Sequence, residues 1–193
     1  MSSLLRLFVY GTLKRGGSNH RRFCEGAVSV VPAWTWGRLH ILANRYPILV
    51  VPSSRVLRRG TARYADDVEC LAPPPSWVDE AVGWRRVQGE IVSFVGSEGA
   101  LRLPRFDALE DYEPVGASPV DDGPASGLRE ARLGYERVLI AVRAAPAGGA
   151  GTAFETPGSA VLTWTYVCPP ALEAQCPVFE DDAWDEESWR RQR

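Results

Sequence analysis

The sequence predicts an α+β domain, and three observations carry that prediction. Several short runs of β-branched, aromatic and other apolar residues recur along a chain of 193 residues, six or seven of them reading as strands. One segment stands out by changing to a helical spacing, and a strict strand–helix alternation is missing, which argues against a doubly wound parallel sheet. The 18 glycines and 15 prolines favour short elements joined by turns over a helical bundle.

In chain order, Leu4–Tyr10 (LLRLFVY) is a strand by residue type, ended by Gly11. Ala27–Leu42 is a second, longer strand segment, with Pro32 expected to interrupt it and Gly37 expected to mark a bulge or bend. Pro47–Val51 (PILVV) is apolar on both faces and reads as buried. The pattern then dissolves over 53–84 into arginines, acids and a triple proline, an insertion with one helical turn expected near Trp77–Val82. Arg86–Val95 returns to strand. Over Ala100–Tyr112, Leu101, Leu103, Phe106, Leu109 and Tyr112 fall near one side of a helical wheel, with Pro104 placed in the first turn.

Residues 115–134 are polar and glycine-rich, a long loop of the kind that often closes over a site. Tyr135–Val142 and Ala160–Cys168 are two further strands, plausible neighbours across an Ala-Gly-rich turn. Residues 1–170 therefore read as a single domain carrying insertions near 53–84 and 115–134, and 171–193 as an acidic C-terminal tail. That tail has six acidic residues between Glu180 and Glu187, a solvated end with its tryptophans tucked onto the domain.

Hydrophobic residues make up 45% and charged residues 24% of the chain, the balance of an ordinary globular protein. A net charge of −2 offers no basic footprint for nucleic acid and no cationic face for an anionic membrane. The longest apolar runs fall far short of the ~20 residues a membrane-spanning helix needs, and no signal-peptide pattern opens the chain. Four cysteines, at 24, 70, 168 and 176, form no C-x-x-C pair, and the histidines are His20 and His40. That pattern suits buried free thiols in a reducing compartment better than a metal site, so a cytoplasmic location and no metal are expected.

Two stretches hold candidate chemistry. The first is VYGTLKRGGSNH, residues 9–20, which nearly matches a phosphate loop but has Gly17 where the lysine belongs. A glycine directly after a strand lets amide N–H groups converge on an anion, and a helix starting near Ser18 or Asn19 would add its positive end. A carboxylate needs only such amides and a hydroxyl such as that of Thr12, whereas nucleotide hydrolysis would need the missing lysine. The second is RFDALEDYEP, with Asp107, Glu110, Asp111 and Glu113. Such carboxylates ordinarily form the wet face of a helix. Glu110, next to Leu109 on the apolar side, is the one expected to point inward, where desolvation would make it a usable base. No G-x-S-x-G elbow accompanies a histidine, and the spacing of His20 and Cys24 carries no specific meaning.

The chain resembles the γ-glutamylcyclotransferase-like family, which includes AIG2-like proteins and γ-glutamylamine cyclotransferases. The resemblance rests on VYGTLKRGGSNHRRF, GRLHILANRYPILV, VQGEIVSF, FDALEDYEP and YERVLIAV, in family order over roughly residues 5–168. It implies a small mixed β-barrel flanked by helices. It also implies a cofactor-free enzyme acting on a small-molecule γ-glutamyl substrate and releasing 5-oxoproline and an amine or amino acid. By the same resemblance, Glu110 is the catalytic acid/base, and Tyr10, Gly11, Thr12, Leu13 and Tyr135 bind substrate. Asp111 departs from the family's glycine after the catalytic glutamate and Phe106 from its leucine, and the insertions exceed those of compact members. A non-catalytic small-ligand module of the same fold is the alternative, kept open by Asp111. The sequence specifies neither the leaving amine nor an oligomeric state.

Overall fold

The computed structural model describes residues 4–42, 46–62, 83–114, 135–144, 160–169 and 173–186. The helical turn expected at 77–82, the loop 115–134 and Cys70 lie outside them. The strands are β1 (Leu4–Val9), β2 (Ser29–Leu42), β3 (Tyr46–Val50), β4 (Arg58–Arg59), β5 (Arg85–Val95), β6 (Glu136–Ala144), β7 (Ala160–Val167) and β8 (Val178–Phe179). Two helices, α1 (His20–Cys24) and α2 (Gly96–Leu109), and a 3₁₀ turn at Ser53–Arg55 complete the elements among the described residues.

Five strands close into a barrel in the order β2, β5, β1, β7, β6, with β6 returning to β2 through Ala33↔Ala144 and Trp34↔Arg143. Only β1 and β7 run parallel, meeting at Leu7↔Trp164, so the barrel is mixed, as the resemblance implied. Closure leaves those five strands with few free edges. Outside it, β3 and β8 extend β2, and β4 extends β6.

Period-two alternation sorts the strand residues into two cores. Phe8, Tyr10, Ile91, Val138, Ile140 and Val142 share one buried cluster inside the barrel. Leu5, Leu7, Phe94, Leu139 and Trp164 face outward beneath the helices, where Phe106 of α2 meets Phe94 at 6.0 Å and Phe23 of α1 at 5.9 Å. Because both faces are covered, Val138–Val142 is buried at every position. A third cluster of Ile48, Val50, Cys168 and Cys176 lies beneath β3.

Two local expectations are corrected, at Pro32 and at the start of α2, and a third, at Gly37, is met. Pro32 does not break β2; it sits in register opposite Glu90, just before the contact with β6 begins at Ala33. A proline fits there because the missing N–H falls where β2 is not yet bonded on its second side. Gly37 is the bend: pairing with β5 ends at Gly37↔Arg85 and pairing with β3 starts at Arg38↔Val50. A Cβ at Gly37 would lie 2.7 Å from the Val50 carbonyl.

Helix α2 begins four residues earlier than its apolar spacing indicated, so Pro104 lies inside it, not in its first turn. Pro104 and Ala100, whose carbonyl loses its partner, are both exposed, so solvent can satisfy that group. The buried stripe is Gly99, Leu103, Phe106 and Asp107, while Leu101 is 78% exposed.

Residues 173–186 lie against the barrel. Strand β8 pairs with Leu39 and His40, the Asp182 carbonyl accepts from the Gln88 N–H at 2.8 Å, and Trp184 is 2% exposed within the barrel cluster.

Candidate active site

At the C-terminal end of β1 the chain leaves the barrel and forms a loop that returns on itself at Asn19. Asn19 holds Thr12 twice: its N–H donates to the Thr12 carbonyl at 3.1 Å, and Nδ2 to the Thr12 hydroxyl at 3.0 Å. The Lys14 N–H closes a turn onto Gly11 O at 3.1 Å. Gly16 takes the left-handed conformation, with φ +84°. At Gly17, a Cβ would sit 2.2 Å from the Thr12 carbonyl oxygen. No side chain fits there, lysine least of all, so the loop cannot be a phosphate loop with its lysine exchanged. The helix expected after it is the five-residue α1, too short to present a significant positive end.

The loop forms one wall of a cavity of about 210 Å³ that Glu110, Tyr135, Tyr166 and the Tyr46-Pro47 pair also line. All six residues singled out in the sequence, Tyr10, Gly11, Thr12, Leu13, Glu110 and Tyr135, open onto this one space. Among the described lining residues Glu110 is the only charged one. Lys14 and Arg15 turn away: Lys14 Nζ donates to the Trp184 carbonyl at 2.6 Å, and Arg15 pairs with Glu90 at 2.9 Å. Among the described residues, no acceptor takes a hydrogen bond from the backbone N–H groups of Gly11, Thr12 or Leu13.

Glu110 is placed by the way α2 ends. Asp111 adopts φ +50°, the one non-glycine left-handed residue among those described. The Tyr112 N–H then reaches back to the Asp107 carbonyl at 2.8 Å, a Schellman closure with aspartate at the position glycine normally fills. The turn directs Glu110 off the helix and into the cavity, half-buried. Burial alone pushes its carboxyl from an ordinary 4.5 up to about 7. Asp111, exposed beside it, is not a cause of that shift. Tyr135 is tied to the same turn by its N–H, 3.3 Å from the Glu110 carbonyl, and burial raises its phenol above the usual value, with Glu110 adding to it.

The inward carboxylate that the sequence misplaced is Asp107. It is not on a wet face but 6% exposed, and accepts from Arg137 Nη1 at 2.5 Å and from the Tyr166 hydroxyl at 2.6 Å. Burial raises its carboxyl above the ordinary value against the opposing pull of Arg137 and Tyr166. Arg137 is itself 1% exposed and donates to the Thr61 carbonyl, and the Tyr10 hydroxyl donates to the Tyr166 carbonyl. The network braces the last turn of α2, which carries Glu110, against β6 and β7. A signal was present in the sequence: a lone arginine inside YERVLIAV, apolar on both faces, requires a buried partner. Asn19 precedes α1, as its sequence position suggests, but its side chain serves the loop and not the helix.

The remaining candidates do not assemble. Cys24 is buried against the Leu13 carbonyl and its thiol is pushed up to about 12 by burial, which makes it a poor nucleophile. His20 Nδ1 bonds the Leu13 carbonyl at 2.7 Å. Cys24, Cys168 and Cys176 are free, and among the described residues no group of three or more potential ligands is placed to hold a metal. No helix among the described residues is long and apolar enough to cross a membrane.

Residues 7–72 match the family model for gamma-glutamyl cyclotransferase, AIG2-like, which bears out the resemblance carried by the opening motif. The matched stretch holds the loop and the Tyr46-Pro47 pair; Glu110 and Tyr135 lie beyond it. No curated protein sequence matches the chain. Among solved structures, the chain is similar to an AIG2-like protein from Mus musculus, at 19% identity and a TM-score of 0.49, covering 95% of this chain and 90% of that one. It is also similar to YkqA from Bacillus subtilis (18% identity, TM-score 0.46, all of this chain and 43% of that one). A third is a γ-glutamyl cyclotransferase specific to glutathione from yeast (12% identity, TM-score 0.46, 93% of this chain and 74% of that one).

Proposed function

We propose that this chain is a γ-glutamylcyclotransferase-type enzyme that cyclises the γ-glutamyl group of a γ-glutamyl amine or amino acid to 5-oxoproline and releases the amine. One observation carries the reading: a carboxyl raised to about 7 lines the same cavity as residues 11–13, whose backbone N–H groups have no partner among the described residues. The N–H groups of residues 11–13, with the Thr12 hydroxyl, suit the α-carboxylate of a γ-glutamyl group.

So held, the substrate's own α-amine is the nucleophile. Glu110 takes a proton from the α-ammonium, the freed amine attacks the γ-carbonyl, and a five-membered ring closes. As the tetrahedral centre collapses, the γ-carbonyl carbon keeps the new C–N bond and loses the old one. The proton held by Glu110 goes to the departing nitrogen, and the ring nitrogen gives up its second proton to the released amine, which leaves as an ammonium ion. A base with a pKa near 7 both accepts and returns a proton readily at neutral pH. Holding a ready-made intramolecular nucleophile in its ring-closing conformer supplies the rest through proximity. Tyr135, which lines the same cavity, is assigned to packing against the glutamyl chain.

The test is 5-oxoproline release from a panel of γ-glutamyl amines, γ-glutamyl amino acids and γ-glutamyl peptides. Turnover of at least one supports the reading and identifies the leaving group. Binding of several with none converted would make the pocket a small-ligand module instead.

A further inference from the structure

We propose that Val178–Glu186 is a strap that positions the loop of residues 10–19, with Lys14, Trp184 and Glu186 as its positioning residues. The strap crosses the barrel end in order. It pairs with β2 at Phe179↔Leu39, accepts from Gln88 of β5 through both the carbonyl and the carboxylate of Asp182, and then reaches the loop. Its anchor is Trp184, whose indole is buried in the barrel cluster that also holds Phe8 and Tyr10 of β1 and its end. From that anchor two ties run to the loop. The Trp184 carbonyl accepts from Lys14 Nζ at 2.6 Å, and Glu186 Oε2 accepts from the Ser18 N–H at 2.9 Å.

These ties fall on either side of Gly16 and Gly17. Two adjacent glycines give the loop extra conformational freedom, and tight binding of an anion through backbone N–H groups is favoured when that freedom is removed beforehand. Glu90 fixes Arg15 from the barrel wall through its N–H and Nε. On the far side of the glycine pair, Asn19 ties the loop to itself at Thr12, and the strap ties it to the barrel end at Ser18. The protein's own acids thus occupy the N–H groups of residues 15 and 18, while residues 11–13, which line the cavity, keep N–H groups with no acceptor among the described residues.

The inference rests on the reading of the loop as the substrate-carboxylate site, so its test has a readout that does not need turnover. In the full chain, Lys14→Met/Glu186→Ala removes both ties, while Glu186→Gln keeps an acceptor for the Ser18 N–H. Amide hydrogen exchange of residues 10–19 should speed up about tenfold in the double variant, the size expected for losing two such bonds, with the β1–β5 ladder unchanged. Glu186→Gln should restore most of the protection. Under turnover of a γ-glutamyl substrate, the double variant should raise KM about tenfold and leave kcat within about twofold, because the carboxylate grip is shared by ground and transition states. Unchanged loop exchange in the double variant would overturn the strap. So would faster exchange with an unaltered KM. If the wild type converts no γ-glutamyl compound, the proposed activity fails while the exchange result still decides whether the strap orders the loop.

Discussion

Replacing Glu110 by glutamine should stabilise the protein, and by an amount that grows with pH. The carboxyl stands near 7 in the folded chain against an ordinary 4.5, with burial as the cause. A raised folded value means the folded state holds the proton more tightly than the unfolded state does. Its contribution is therefore fully present below pH 4.5 and is lost as pH rises through 7. The total is about 3 kcal/mol at one pKa unit per 1.36 kcal/mol. Glutamine has nearly the same shape and no ionisation, so its other effects on stability are the same at every pH. Urea unfolding of wild type and Glu110→Gln at pH 5 and pH 8.5 reads the difference directly, and the remaining titrating groups cancel in it. The stability gap between variant and wild type should widen by about 2–3 kcal/mol across that interval. Parallel stability–pH curves would mean that Glu110 is not held in a desolvated pocket, and the general-base assignment would lose its physical basis.

Other consequences follow from the same geometry. The kcat/KM of the wild type for a γ-glutamyl substrate should rise with pH along a limb whose midpoint lies near pH 7, and a midpoint near 4.5 would contradict the burial of Glu110. Asp111→Gly should raise stability by about 1 kcal/mol, visible as a higher Tm, because glycine takes the left-handed turn without the cost a side chain carries. Arg137→Leu should destabilise by about 3–5 kcal/mol by leaving the Asp107 carboxylate buried without its cation. The double change Asp107→Leu/Arg137→Leu should unfold at higher denaturant than Arg137→Leu alone.

The strands could be read from the sequence because residue type and alternation are strong signals when a strand is covered on both faces, as in YERVLIAV. The barrel could not be so read. Its closure depends on Ala33 and Trp34 meeting Ala144 and Arg143, a pairing between residues over a hundred positions apart that no local pattern encodes. Helix α2 was misplaced at its start because Gly96 and Gly99 are poor helix formers, although at Gly99 the missing side chain is what lets the helix approach β1: a Cβ there would meet Leu5 at 2.4 Å.

Glu110 was found through its neighbour Leu109 and the family motif, and the cavity collects it with the loop residues. Asp107 was missed because a carboxylate in an acidic run looks solvated until its partner, 30 residues away in the chain, is known. Trp184 was legible by contrast: a tryptophan in the acidic run was expected to tuck onto the domain, and this one does. Its neighbours Asp181, Asp182 and Asp185 are exposed, yet the indole between them is among the most buried side chains described.

The most direct test of the proposed chemistry is single-turnover 5-oxoproline formation by wild type and Glu110→Gln, at saturating concentrations of whichever γ-glutamyl compound the wild type converts. The proposed role predicts a rate at least about a hundredfold lower in the variant, the contribution of a well-placed acid/base, with substrate still bound. A variant that forms 5-oxoproline within a few-fold of the wild-type rate would contradict it.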